Sequence, residues 1–295
     1  MKISAIVPWF GSKRTLAPRI AGQLGPHRAY WEPFCGSLAV LLAKPECSSE
    51  TVNDLHGDLI NLARVVRDRH YGPALYRRLR RTLTHEGLFG EAEAAIFGNT
   101  IEVQAGDDGR LDLERAYLFF LATWLGRNGV AGTTKGSCGK AFCVRYTKNG
   151  GHQGTRFQSA ISSIPAWRRR LRETCILRRD GFELLARIDD QAGTAIYVDP
   201  PYLQKSATYV HDFAVADHVR LAKLLRQFKH ARVVVSYYEH PNLAKLYPGW
   251  EKLTCDVAKG LAQQGRRGNK GRVSAPEVLL VNGQLLKDTN GHELF

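Results

Sequence analysis

The sequence predicts an α/β protein with a doubly wound, Rossmann-like parallel sheet, interrupted by a mainly helical and loop-rich insertion. Three observations predict it. Strand and helix patterns alternate through residues 1–70 and again from about residue 180. Between 71 and 165 the alternation fades into arginine-rich helical stretches and a glycine-rich polar run, Gly126 to Gly154. The apolar run Ala195–Val198 ends abruptly in Asp199-Pro200-Pro201-Tyr202. Proline cannot donate to a ladder, so a strand stops there, and the carboxyl end of a parallel strand is where such sheets hold ligands.

The elements follow in order. Thr15–Leu24 reads as a short helix with Pro18 near its start. Ala29–Phe34 reads as extended, ending at Gly36, with Ser37 expected to cap the apolar helix LAVLLAK. Glu50–Asn53 is a short strand ending at Asp54. Asp58–Arg69 is helical, with Leu59, Leu62, Ala63 and Val66 on one face. After the insertion, Asp217 is expected to cap a helix carrying Leu221, Leu224, Leu225 and Phe228. ARVVVSYY and PEVLLVN close the chain as strands. The resulting division is a catalytic domain from 1–70 and 166–295, split by an insertion at 71–165. There is no internal repeat.

Composition narrows the function. A net charge of +14 and a pI near 9.7 point to a polyanionic partner. The charge is clustered: Arg77, Arg78, Arg80 and Arg81; Arg168, Arg169, Arg170 and Arg172; and Arg266, Arg267, Lys270 and Arg272 among glycines. The last spacing suits a loop that wraps phosphates. The competing reading is a basic enzyme with no such partner. The six cysteines lack C-x-x-C spacing, and Cys138 and Cys143 have no neighbouring histidine pair, so reduced thiols and no metal are expected. No segment has the apolar length of a membrane span, and Met1–Arg14 lacks a signal peptide's apolar run. The expectation is a soluble cytoplasmic protein, associated with the nucleoid.

Four pieces carry the chemistry: Pro8–Lys13 (PWFGSK), Glu32–Val40 (EPFCGSLAV), Asp54 and the Asp199–Tyr202 elbow. Each has an ordinary structural reading: a core Trp9, a solvated Lys13, a plain strand-to-helix turn at Gly36, a helix cap at Asp54. The functional reading makes Gly36 a turn that lets backbone approach a nucleoside. Asp54, at the end of the second strand, then takes ribose hydroxyls, and Lys13 supplies charge near a carboxylate. At the elbow, Tyr202 offers a flat face to a base. Asp199 accepts from an exocyclic amine, and carbonyls beside prolines face no competing donor. That set suits a planar amine whose nitrogen attacks an electrophile.

These segments, with NDLHGDLINL, RNGVAG at 127–132 and a basic glycine loop before PEVLLVN, resemble the Dam-type DNA adenine N6-methyltransferases. The match spans nearly the whole chain. The order, cofactor motif then insertion then elbow, is that of the alpha group of amino-methyltransferases. The resemblance implies a methyltransferase fold, S-adenosylmethionine as cofactor and double-stranded DNA as partner. It implies that Trp9, Lys13, Glu32, Phe34, Gly36, Asp54 and Asp199 line the cofactor pocket. Asp199, Pro200, Pro201 and Tyr202 would hold a flipped adenine. One departure is Leu38, where the family carries a small residue two places after the first glycine. Within the insertion, Arg127, Asn128 and Arg145 are expected to contact DNA, with Arg266, Arg267, Lys270 and Arg272 as a backbone clamp. RNA adenine methylation and a catalytically degenerate DNA-binding regulator are the rivals. A protein-glutamine methyltransferase is a third, but it would put Asn in place of Asp199. A homodimer is compatible with a palindromic target, and a restriction endonuclease is the partner a modification enzyme of this kind would have in a restriction system.

Overall fold

The computed structural model describes residues 5–9, 11–98, 110–126, 142, 152–203, 213–255 and 276–286. In chain order the elements are α1 (Ala17–Leu24), β1 (Ala29–Glu32), α2 (Ala39–Ala43), β2 (Ser49–Asn53), α3 (Gly57–Arg67), α4 (Tyr71–Arg80), α5 (Glu86–Glu93), α6 (Leu113–Leu125), α7 (Gln153–Leu171), β3 (Cys175–Leu177), α8 (Gly181–Leu185), β4 (Thr194–Val198), α9 (Val215–Leu225), β5 (Arg232–Tyr238), α10 (Leu243–Leu246), β6 (Glu251–Cys255) and β7 (Glu277–Val281). A single π-turn, Ala94–Gly98, follows α5.

Seven strands form one sheet in the order β3-β2-β1-β4-β5-β7-β6. The first five are parallel, and β7 runs antiparallel to both neighbours. The order reverses between β1 and β4, so their carboxyl ends, at Glu32 and Val198, open a crevice at the switch point. This is the doubly wound, Rossmann-like fold.

Both faces of the sheet are covered, as strand periodicity requires. Ala195 and Tyr197 of β4 enter one core with α1, α2, α3, α6 and α7. Ile196 and Val198 enter the other with α8, α9 and α10. All five β4 residues are buried, which explains why that run shows no polar alternation. The described helices α4, α5 and α6 and the buried residues of α7 pack into the same core as α3.

Three local expectations change. Helix α2 begins not from Ser37 but from Leu38, which sits in the left-handed region at φ 60° with no side-chain cap. Ser37 instead bonds Ser12 side chain to side chain at 2.8 Å. Asp54 is not the cap of α3. His56 takes that place, its ring accepting from the Leu59 amide. Asp217 stands at the third position of α9, where its carboxylate accepts from the Ala214 amide at 2.8 Å. Cys35, Cys47, Cys175 and Cys255 are free thiols. Among the described residues no group of side chains is set to hold a metal, and no helix is long and apolar enough to cross a membrane.

Candidate active site

A cleft partly open to solvent lies at the switch point. Four segments supply most of its walls, and Gly181 and Phe213 complete them. The turn after β1 supplies Phe34 and Gly36, and the end of β2 supplies Asp54. The elbow after β4 supplies Asp199, Pro200 and Pro201, and the segment before α1 supplies Trp9 and Lys13. Trp9, Lys13, Glu32, Phe34, Gly36, Asp54 and Asp199, the seven residues expected at a cofactor pocket, all line this cleft.

Gly36 needs to be glycine. Its φ is 45°, and a β-carbon there would lie 3.2 Å from the Trp9 ring. Its amide donates to Asp54 Oδ2 at 2.9 Å, and the His56 amide donates to Oδ1 at 2.9 Å. Asp54 thus ties the β1 turn to the end of β2. A carboxylate has about four lone-pair sites, so acceptor capacity remains on both oxygens. Asn53, fully buried, reinforces this end of the sheet: its amide donates to the Pro33 and Arg179 carbonyls, both at 2.9 Å.

The elbow is held from three sides. Lys13, buried to 6% exposure, places Nζ 2.8 Å from Asp199 Oδ2 and 3.1 Å from Glu277 Oε1, and donates to the Gly11 carbonyl at 2.7 Å. Lys13 is therefore no solvated side chain. Ser236 Oγ donates to Asp199 Oδ1 at 2.8 Å and accepts from the Tyr197 hydroxyl at 2.9 Å. Parallel pairing of β4 with β5 sets Val198 opposite Val235, which brings Ser236 beside Asp199. Burial pushes the Asp199 carboxyl above its ordinary range, and Glu277's charge adds to the rise, while Lys13 and Ser236 pull it back.

Tyr202 lies apart from the cleft wall. It is buried at 8% exposure, its hydroxyl donates to Glu277, and its ring meets the edge of Tyr238 at 4.5 Å between centroids. Lys13 Nζ stands 5.0 Å from its ring centre. Glu32, buried to 1% exposure, accepts from the Tyr30 hydroxyl at 2.8 Å. Burial pushes its carboxyl up to about 8, with the charge of Asp199 adding to the rise.

Several residues in or behind the cleft wall gave no motif signal. Glu277 begins an apolar strand and reads there as a strand-end charge. Ser236 and Tyr197 sit inside buried strands. Only the pairing of β4, β5 and β7 gathers them. Phe213 also lines the cleft, packing edge-on against Phe34 at 5.7 Å and stacking on Phe182 at 5.3 Å. Arg127, Asn128, Arg145, Arg266, Arg267, Lys270 and Arg272, expected to contact DNA, lie outside the described residues.

The site combines a buried acceptor at the end of a central strand, a glycine turn and an acid at the end of the neighbouring strand. The family model of the D12 class N6 adenine-specific DNA methyltransferases matches residues 9–255, from Trp9 through the elbow to the end of β6. The chain belongs to that family. It is an enzyme that methylates adenine in DNA, and enzymes of this family in general use S-adenosylmethionine. The chain is also similar to the Retron Ec67 DNA adenine methylase of Escherichia coli, 25% identical over 285 residues, which cover 95% of this chain and 92% of that protein.

Proposed function

We propose that the switch-point cleft binds S-adenosylmethionine and that Asp199 and the Pro200 carbonyl hold the amino group of an adenine flipped from duplex DNA. The observation that carries this reading is Asp199 itself: an acceptor at the mouth of the central strand, oriented through both oxygens by Lys13 and Ser236.

The donor set fits the cofactor. Asp54 and Asp199 give the cleft two carboxylates beside the protonated Glu32 carboxyl, and Trp9, Phe34 and Phe213 give it aromatic walls. That combination suits a cationic ligand with a planar base. When bound, S-adenosylmethionine supplies an activated methyl group on a sulfonium. Trp9, Lys13, Glu32, Phe34, Gly36 and Asp54 are the residues that would hold it.

The rest of the chemistry is positioning. Adenine's amino group is paired inside the duplex, so the base leaves the stack at a cost of a few kcal/mol. Phosphate contacts offset that cost, and we assign them to the segment 71–165, with Arg127, Asn128 and Arg145, and to the clamp Arg266, Arg267, Lys270 and Arg272. Tyr202 and Pro201 would frame the extruded base. Asp199 and the Pro200 carbonyl accept its two amino hydrogens, which orients the nitrogen lone pair and favours the charge that develops on nitrogen. The proton lost after transfer leaves by way of an acceptor already in contact, Asp199. A site on either strand of a palindrome can be served by one copy acting twice or by a homodimer.

The test is Asp199→Ala. Wild-type protein expressed in an unmethylated host should leave N6-methyladenine in one short DNA motif, read by nucleoside mass spectrometry and single-molecule sequencing. The variant should leave none and still bind duplex DNA. Substantial turnover by the variant would sink the role of Asp199, and methyl groups found only in RNA would move the substrate.

A further inference from the structure

We propose that Glu277 is a positioning residue of the methyl-transfer site, holding Tyr202 and Lys13 in one unit with Asp199. The proposal rests on the reading of Asp199 given above and extends it to a strand that no motif marked.

Glu277 is the first residue of β7, paired with Tyr238 on one side and Cys255 on the other. It is only 8% exposed. A buried carboxylate is costly unless it is paired, and this one has two partners on different segments. The Tyr202 hydroxyl donates to Oε1, and the Lys13 ammonium stands 3.1 Å from the same oxygen. Lys13 in turn reaches Asp199 at 2.8 Å and lies 5.0 Å from the Tyr202 ring centre. One cation is thus shared by two carboxylates, and one aromatic of the elbow is tethered to the second of them.

The arrangement has two consequences. First, Lys13 does not neutralise Asp199 alone, so Asp199 keeps more acceptor strength than a simple ion pair would leave it. Second, the Tyr202 ring is fixed at its hydroxyl end as well as at its backbone, which sets the angle at which the elbow presents Pro200 and Pro201. Glu277 itself does not line the cleft, so its effect reaches bound ligands only through these neighbours. Among the described residues, the charged and titratable groups around it are Lys13, Asp199, Tyr202, Tyr238 and Cys255, with Tyr197 and Glu32 behind Asp199.

The experiment compares wild type, Glu277→Gln, Glu277→Asp and Tyr202→Phe. It measures kcat against pH with a duplex substrate and the Kd of S-adenosylmethionine by calorimetry. Glu277→Gln keeps the shape and removes the charge. Expected is a ten- to hundredfold loss of kcat, the scale of a misplaced reacting group, with Kd for the cofactor changed less than about threefold. The acid limb of the pH profile should move down, because Asp199 loses a negative neighbour and ionises more readily. Glu277→Asp restores the charge and should return the acid limb toward wild type while kcat stays low. A Glu277→Gln enzyme with wild-type kcat and pH profile overturns the proposal. So does a loss of kcat with the acid limb unmoved, which is what a purely structural role would give. If Glu277→Gln does not fold, Tyr202→Phe decides. It removes one hydroxyl, and wild-type turnover would show that the tether is irrelevant. Asp199→Ala serves as the separate control: if that variant turns over, the reading of the site falls, whatever Glu277 does.

Discussion

At the scale of single residues, the site is a set of carboxyl groups kept apart by burial. Glu32 illustrates the consequence. Its folded value of about 8 stands above the ordinary 4.5. Between those values the folded chain holds a proton that the unfolded chain has released, so its contribution is complete below 4.5 and is lost as pH rises through 8. Glu32→Gln removes that dependence and keeps an acceptor for Tyr30. The melting temperature of Glu32→Gln, relative to wild type without ligands, should therefore rise steadily from about pH 5 to about pH 8. A difference that stays flat would mean that Glu32 is ionised in the fold. Leu38 gives a second residue-scale prediction. A leucine at φ 60° carries a strain of about 1–2 kcal/mol, yet it is fully buried and cannot be truncated freely. Both Leu38→Ala and Leu38→Gly should destabilise the fold by creating a cavity. Their order should invert the usual helix ranking, with glycine better than alanine by about 1 kcal/mol, because only glycine relieves the φ. Urea unfolding of the two variants decides it, and alanine above glycine would contradict the strained geometry.

At the scale of elements, the cleft depends on how close α8 comes to the turn after β1. A β-carbon on Gly181, the first residue of α8, would lie 2.5 Å from the Phe34 ring. Gly181→Ala must push that ring into the cleft or away from it, at a cost in the overpacking range of about 1–3 kcal/mol. Affinity for S-adenosylmethionine should fall by about tenfold or more, since 1.4 kcal/mol is a factor of ten. Calorimetry reading an unchanged Kd would remove Phe34 from the cofactor wall. The same scale shows what was legible beforehand. Strand β1, strand β2 and helix α3 follow directly from apolar spacing, and the elbow announces the end of β4, because proline leaves few alternatives. Helix ends were less legible. Ser37 and Asp54 are good caps by type, but tertiary bonds to Ser12 and to the Gly36 amide claim their side chains. Strand β3 spans only three residues and β6 is mostly exposed on its outer edge, so neither had a period to read. Glu277 and Ser236 were invisible for a related reason: their roles come from pairing between distant strands, and periodicity carries no register.

At the scale of the whole molecule, charge is sorted between inside and outside. The chain carries +14, yet the cleft gathers Asp54, Asp199 and, just behind the wall, Glu277, around Lys13, with Glu32 held protonated by burial at neutral pH. A polyanion is drawn to the exterior, while a cation is drawn to the cleft. The two attractions differ in their response to salt. Contacts to phosphate release condensed counterions, and 6–10 of them lower affinity by about 10³- to 10⁵-fold between 50 and 200 mM salt. Charges buried in the cleft wall are screened far less. Duplex binding, followed by fluorescence anisotropy, should therefore collapse over that range, with little regard to sequence, while the Kd for S-adenosylmethionine changes by less than about threefold. Asp199→Ala should keep the salt slope of wild type, because its carboxylate opposes rather than supplies phosphate contacts. If cofactor and DNA affinities fell in parallel with salt, the cleft would be open to bulk screening and the separation of the two attractions would be wrong. If neither fell, the positive exterior would not be the surface that meets DNA.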